Sequence, residues 1–105
     1  IAAMGTDTKG KQELDPALVA HARLFTDEIA QSLSIGEFQH AAAQKMISAE
    51  EVTALGKVII GDHEGRGDAE ITIFDGTGVG LQDLAVAAAV VDLARQQGKA
   101  TQIKI

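Results

Sequence analysis

Short apolar runs alternate with helix-prone segments along this chain, and this alternation constrains the fold more than any other feature. Three runs have the length and composition of buried strands: residues 1–4 (IAAM), 24–26 (LFT) and 71–74 (ITIF). A fourth run, residues 100–105 (ATQIKI), alternates as a half-exposed strand does. Strands that alternate with helices form α/β layers, so we predict an α/β fold whose sheet, with so few strands, is incomplete.

Helix-capping residues mark where the first helices begin. Asp15 can accept free amides and Pro16 suits the first helical position, which predicts a short helix to about Ala22. Asp27 is either the cap of the segment that follows the second strand or a loop residue, and residues 37–46 are helix-prone. Along the chain, helices are therefore expected before and after the second strand.

Two longer helices are predicted in the second half of the chain. Ser48 and Glu51 fit a capping box, and apolar residues recur at helical spacing behind them, so we predict an amphipathic helix over about 49–60. The longest helix is predicted over about 79–97, with Gly98 as its C-terminal cap. Since that helix is apolar nearly all round, we expect it to be buried on more than one side.

Composition and charge argue against several partners. A net charge of −6 without a Lys/Arg cluster argues against nucleic acid, and no apolar stretch reaches the ~18 residues of a membrane span. The chain has no Cys, which excludes disulfides and fits the cytoplasm. His21, His40 and His63 lack metal-site spacing, so no metal is expected.

Because the chain begins with Ile1 inside an apolar run, we expect a piece of a longer protein or a processed chain.

Two glycine-rich segments imitate phosphate-binding turns. Residues 5–12 (GTDTKGKQ) nearly match a phosphate loop, but Gln12 replaces the hydroxyl that would ligate magnesium, and the helix starts too late. Residues 75–80 (DGTGVG) lie between a strand and a helix, but their spacing is GxGxG rather than GxGxxG and no acid closes the next strand. The second segment is therefore either a left-handed turn feeding a helix or a turn that exposes amides to a ligand.

Two segments about sixty residues apart carry more specific motifs. Residues 3–16 (AMGTDTKGKQELDP) contain G-x-D-x-x-G-K-x-E-L-D, and residues 65–87 (GRGDAEITIFDGTGVGLQDLAVA) contain E-I-T-x-F-x-x-x-G-x-x-x-x-D ahead of the long helix. Together they resemble the ornithine cyclodeaminase/mu-crystallin family, and the resemblance covers essentially the whole chain.

The resemblance implies a two-domain protein about three times as long, with a homodimer-forming substrate domain and a Rossmann domain for NAD or NADP. Residues 1–79 would be the distal part of the Rossmann domain. Residues 80–105 would be a connecting helix and a C-terminal strand that return to the substrate and dimerisation domain.

The resemblance also assigns site residues. It places Asp7 on the catalytic acid/base, whose pKa would rise if closure of the site excluded water. From the residues alone, Asp7 could instead cap the amides of Lys9 or Gly10. Thr77 falls on a substrate-binding position. The positions that contact the cofactor are Met4, Gly5, Thr6, Lys11 and Gly76.

The implied function is that of an NAD(P)-dependent enzyme that acts on small amino or cyclic imino acids by hydride transfer. The two activities expected are ornithine cyclodeaminase and pyrroline-2-carboxylate (ketimine) reductase. The alternative is a non-catalytic, mu-crystallin-like protein that binds NADP(H) or another ligand. Asp7 counts against that alternative, because mu-crystallin-like members lack the aspartate.

Overall fold

A computed structural model describes all of residues 1–105. Five helices, four strands and one short 3₁₀ turn make up the chain. In chain order they are β1 (Ala2–Ala3), α1 (Pro16–Ala20), β2 (Arg23–Thr26), α2 (Ile29–Ser34), α3 (Gln39–Ala43), the 3₁₀ turn (Ala49–Glu51), β3 (Val52–Ala54), α4 (Leu55–Ile59), β4 (Thr72–Asp75) and α5 (Gly80–Gln96). The predicted α/β fold is confirmed.

The four strands form one parallel sheet in the order β1-β4-β2-β3. Strand β4 therefore lies between β1 and β2, with Asp75 opposite Ala3 on one side and opposite Thr26 on the other. Because all strands run the same way, their carboxyl ends meet at one edge of the sheet. That edge is where parallel α/β sheets bind ligands.

The core lies on one face of the sheet, between the strands and helices α1 to α3. Leu24 and Ile73 point into it from β2 and β4 and are at most 1 % exposed. Their neighbours Phe25 and Phe74 point to the other face, since side chains alternate along a strand. There they line an apolar groove of about 250 Å³ together with Leu55 and other side chains. Helices α1 to α3 thus cover one face of the sheet, and α4 lies beside the groove on the other face, where Phe25 is buried.

The helix predicted over residues 49–60 is wrong in its first half. The capping box is present, because the Glu51 carboxylate accepts the Ser48 amide at 2.7 Å, but it opens only a single 3₁₀ turn. Residues 52–54 (VTA) then form β3 beside β2, with Val52 buried opposite Leu24. Two β-branched residues favour an extended strand, and burial against β2 outweighs the helical spacing of the apolar residues.

The burial predicted for the long helix is also wrong for these 105 residues. Helix α5 forms with nearly the predicted bounds, yet none of its residues is buried, since no other helix or strand packs closely along it. It ends as predicted: Gly98 has φ +66°, and the amides of Gly98 and Lys99 donate to the carbonyls of Arg95 and Ala94.

The final strand predicted over residues 100–105 does not form, because no strand of the sheet lies beside this segment to pair with it. No helix in the structure combines the length and apolar character needed to cross a bilayer.

Candidate functional site at the carboxyl edge of the sheet

The segments that follow β1 and β4 meet at the carboxyl edge of the sheet. The Gly76 amide donates to the Ala3 carbonyl at 3.0 Å, which is the last hydrogen bond of the β1–β4 pairing. The Met4 side chain then lies over Gly76, since a Cβ at this glycine would come within 2.5 Å of the Met4 Sδ and Cε atoms. Two of the predicted cofactor-contacting residues are thus brought together, with Met4 64 % exposed on the outer side.

Asp7 and Lys11 form an ion pair on the exposed loop that follows β1. The Lys11 Nζ atom donates to the Asp7 carboxylate at 2.7 Å, and the Thr8 hydroxyl donates to the same oxygen at 3.1 Å. The Lys11 hydrogen bond is the main reason that the pKa of Asp7 lies below its usual value. This direction is opposite to the rise expected for a closed, water-free site, so Asp7 is an ionised carboxylate at neutral pH here.

Asp7 does not cap its own loop, since its carboxylate accepts neither the Lys9 nor the Gly10 amide. The Gly10 amide donates to the Gln39 side-chain oxygen at 2.8 Å, and the Lys11 amide donates to the Thr8 carbonyl. Asp7 therefore accepts from side chains only, which leaves its carboxylate accessible from solvent.

Glu37, which lies just before α3, holds this loop in place. The buried Glu37 carboxylate accepts the Thr6 hydroxyl and the amides of Glu13 and Leu14, the latter two at 2.9 and 2.7 Å. Thr6 is fully buried, so its side chain faces Glu37 rather than the open edge. At Gly5 the next atoms are those of the Glu13 carboxylate, 2.2 Å from where a Cβ would be. Neither the side chain nor the backbone of Thr6 is exposed in these 105 residues, so the cofactor contact predicted for it stays a prediction.

The DGTGVG segment is a left-handed turn closed by a carboxylate. Gly78 has φ +78°, and Asp27, at the end of β2, accepts the Thr77 amide at 3.0 Å and the Gly78 amide at 2.9 Å. These two amides are therefore bound within the protein, which favours the interpretation as a left-handed turn that leads into a helix. Thr77 itself is 7 % exposed and donates its hydroxyl to Asp27 at 2.7 Å.

Comparison with known proteins identifies the family. The sequence profile of the ornithine cyclodeaminase/mu-crystallin family matches residues 1–98. The chain belongs to this family. It is 70% identical over 105 residues to the iminosuccinate reductase of Paracoccus denitrificans, and 42% identical over 106 residues to an alanine dehydrogenase of Archaeoglobus fulgidus. These alignments cover 100% and 99% of the chain but only 33% of each relative, so the chain spans about a third of their length.

Solved structures of the family share the fold. The crystal structure of the Paracoccus denitrificans iminosuccinate reductase in complex with NAD⁺ matches with a TM-score of 0.95 at 70% identity. A dimeric archaeal alanine dehydrogenase with bound NAD matches with a TM-score of 0.87 at 40% identity. Each covers all of this chain, and the chain covers 33% of each. The sheet and helices described here are therefore a piece of the Rossmann-type fold of this family.

The sequence alone did not identify Asp27 as the residue that binds the turn of the candidate site. Of the two alternatives for Asp27, the loop residue is the one observed, because Glu28 caps α2 by accepting the Ala30 amide at 3.3 Å. Burial acts to raise the pKa of Asp27, but the hydrogen bonds from Thr77 and Gly78 outweigh it, so the pKa lies below its usual value. The only local signal was an acidic residue placed directly after a buried strand.

Asp75 is a buried acid that the sequence did not single out. One of its oxygens accepts the Ser32 hydroxyl and, at 2.8 Å, the Glu37 amide, whereas Oδ1 has no hydrogen-bond partner. Burial raises the pKa of Asp75, and the charges of Glu37 and Asp27 add to the rise. No group of three or more His, Cys, Asp or Glu side chains lies close enough to hold a metal ion.

The Asp75→Asn variant tests this pKa. A carboxyl whose pKa is raised by folding from about 3.8 stabilises the fold below that pH and loses this contribution as pH rises through the folded-state pKa. The stability of the native protein relative to Asp75→Asn should therefore decrease as pH rises above about 4. Urea denaturation midpoints of both proteins at a series of pH values measure this difference. An increase in that difference over the same range would contradict the raised pKa.

Proposed function

We propose that this chain is part of an NAD(P)-dependent enzyme that interconverts a small amino acid and its imine. Residues 1–79 would be the distal part of its Rossmann domain, and residues 80–105 would connect it to a substrate and dimerisation domain. The observation that carries the proposal is the open carboxyl edge of the sheet. There the exposed Asp7–Lys11 pair follows β1, and Met4 follows the same strand and lies over Gly76.

The residues of this edge fit a nicotinamide and an amino or imino acid. When bound, NAD(P) supplies or takes up the hydride. Ionised Asp7 suits the oxidative direction, in which a proton leaves the substrate nitrogen as hydride leaves the α-carbon. In the reductive direction the imine carbon gains the hydride and the nitrogen gains a proton by way of the same carboxyl. Lys11 holds that carboxylate in its ionised form until substrate is bound.

Identity to relatives directs the choice of substrate. The relative that is 70% identical is an iminosuccinate reductase, and this favours a dicarboxylic imine over ornithine or pyrroline-2-carboxylate. The archaeal alanine dehydrogenase structure is a dimer, which supports a homodimer here. A cytoplasmic location fits the lack of Cys and the use of a soluble nucleotide.

An assay of the complete protein distinguishes the candidates. Oxaloacetate with ammonia, which form iminosuccinate, should support oxidation of NADH or NADPH at 340 nm, and aspartate should support the reverse reaction. Pyrroline-2-carboxylate with NAD(P)H and ornithine with NAD⁺ are the parallel arms. Turnover with pyrroline-2-carboxylate or ornithine, and none with iminosuccinate, would show that iminosuccinate is not the substrate. Cofactor binding without turnover in any arm would favour the non-catalytic, mu-crystallin-like protein.

A further inference from the structure

The carboxylate of Asp27 joins two segments that lie fifty residues apart. It follows β2 directly, and its two oxygens accept the backbone amides of Thr77 and Gly78 and the hydroxyl of Thr77, at 2.7 to 3.1 Å. One oxygen also accepts the amide of Glu28 at 2.9 Å, and the other lies 3.5 Å from the Gln82 side-chain nitrogen. A single carboxylate thus fixes both the turn and the start of α5.

The same turn is held from its carbonyl side. The Gln31 side-chain nitrogen donates to the Gly78 carbonyl at 2.8 Å and to the Thr77 carbonyl at 3.4 Å. Gln31 lies on α2, just after Asp27. Residues of one short segment, 27–31, therefore bind both the amides and the carbonyls of the turn.

This arrangement determines what Thr77 can offer to a ligand. Its only hydroxyl proton is directed at Asp27, so the oxygen retains lone pairs alone for any further partner. We propose that Asp27 is a positioning residue, which holds Thr77 so that its hydroxyl oxygen acts only as an acceptor for an N–H group of the bound ligand. The inference rests on the proposed function, under which such groups are the amine or iminium of the substrate and the carboxamide of the cofactor.

Substitutions in the complete protein test the proposal. Asp27→Asn keeps the size of the side chain but replaces one acceptor with a donor that faces the amides of the turn. It should lower kcat about 10-fold or more, since small misplacements of groups beside the reacting atoms reduce rates strongly. Thr77→Val should lower kcat similarly, whereas Thr77→Ser keeps the hydroxyl and should stay within about threefold of the native rate. Asp62→Asn removes an exposed carboxylate from a loop outside the site and is the matched control.

The double variant separates positioning from simple support of the fold. If Asp27 acts through Thr77, Asp27→Asn combined with Thr77→Val should be no slower than the worse single variant. Additive losses would overturn the proposal, as would an Asp27→Asn protein with a lower melting temperature but a native kcat per folded molecule.

Native turnover tests the proposed function separately. If the native protein turns over none of the imino acids, the dissociation constant for NADH, measured by fluorescence, becomes the readout. An increase of about 10-fold in Asp27→Asn but not in Asp62→Asn would then support the positioning role, and equal affinities would overturn it.

Discussion

Replacing Asp7 with Asn in the complete protein is expected to lower kcat by about 10² to 10⁴-fold, the usual contribution of a positioned acid/base. The substitution removes the proton acceptor but preserves the size of the side chain. Asp7 is exposed and bonds only with Thr8 and Lys11, so folding should be unaffected. An equal melting temperature with a large loss of kcat would therefore assign the loss to chemistry. Activity within about threefold of the native enzyme would exclude the acid/base role.

The Lys11→Gln variant provides a second, independent readout of the same pair. Lys11 is the main cause of the lowered pKa of Asp7, so its removal should let that pKa rise toward the ordinary value. If Asp7 is the proposed acid/base, the rate of amino acid oxidation should fall as pH drops through this pKa. The acid limb of the pH–rate profile should therefore move to higher pH in Lys11→Gln. The Asp62→Asn control should leave the acid limb in place. An unmoved acid limb in Lys11→Gln would mean that Asp7 is not the group whose ionisation sets this limb.

The strands beside the site could be predicted from sequence because their signals are local. Short apolar runs bounded by turn residues correctly located β1, β2 and β4, and the Asp15-Pro16 pair correctly began α1. Strand β3 could not be recognised in the same way. Val52 and nearby apolar residues repeat at helical spacing, and only pairing with β2 makes Val52–Ala54 extended.

The residues that shape the site could not be predicted, because their contacts are between distant segments. Asp27 and Thr77 meet only through the sheet order, which places β4 beside β2. From the sequence, Glu37 is only the first residue of a helix-prone run. In the structure it lies just before α3, is buried, and binds the loop that carries Asp7. The direction of the Asp7 pKa likewise depends on a Lys11 rotamer that no sequence pattern specifies.

Gly36 lies where the end of helix α2 packs against Asp75 and Thr77. It follows α2, and a Cβ at this position would lie 2.3 Å from an Asp75 carboxylate oxygen, 2.6 Å from the Ser32 Cα atom and 2.8 Å from a Thr77 methyl group. The Ser32 contact is with backbone, which can move only if α2 moves. The φ of Gly36 is outside the left-handed region, so the constraint is one of space alone.

The Gly36→Ala variant of the complete protein should be destabilised by about 2–3 kcal/mol, because an added methyl group in a filled junction forces backbone shifts. Gly56→Ala is the matched control: nothing lies within 4 Å of its Cβ position, and Ala in helix α4 should be neutral or stabilising by up to about 1 kcal/mol. Urea denaturation of both variants measures the difference. Because the methyl group would press on Asp75 and Thr77 together, Gly36→Ala should also weaken NADH binding. Equal denaturation midpoints for the two variants would mean that α2 and the turn can separate freely, which the bonds of Asp27 and Gln31 to that turn contradict.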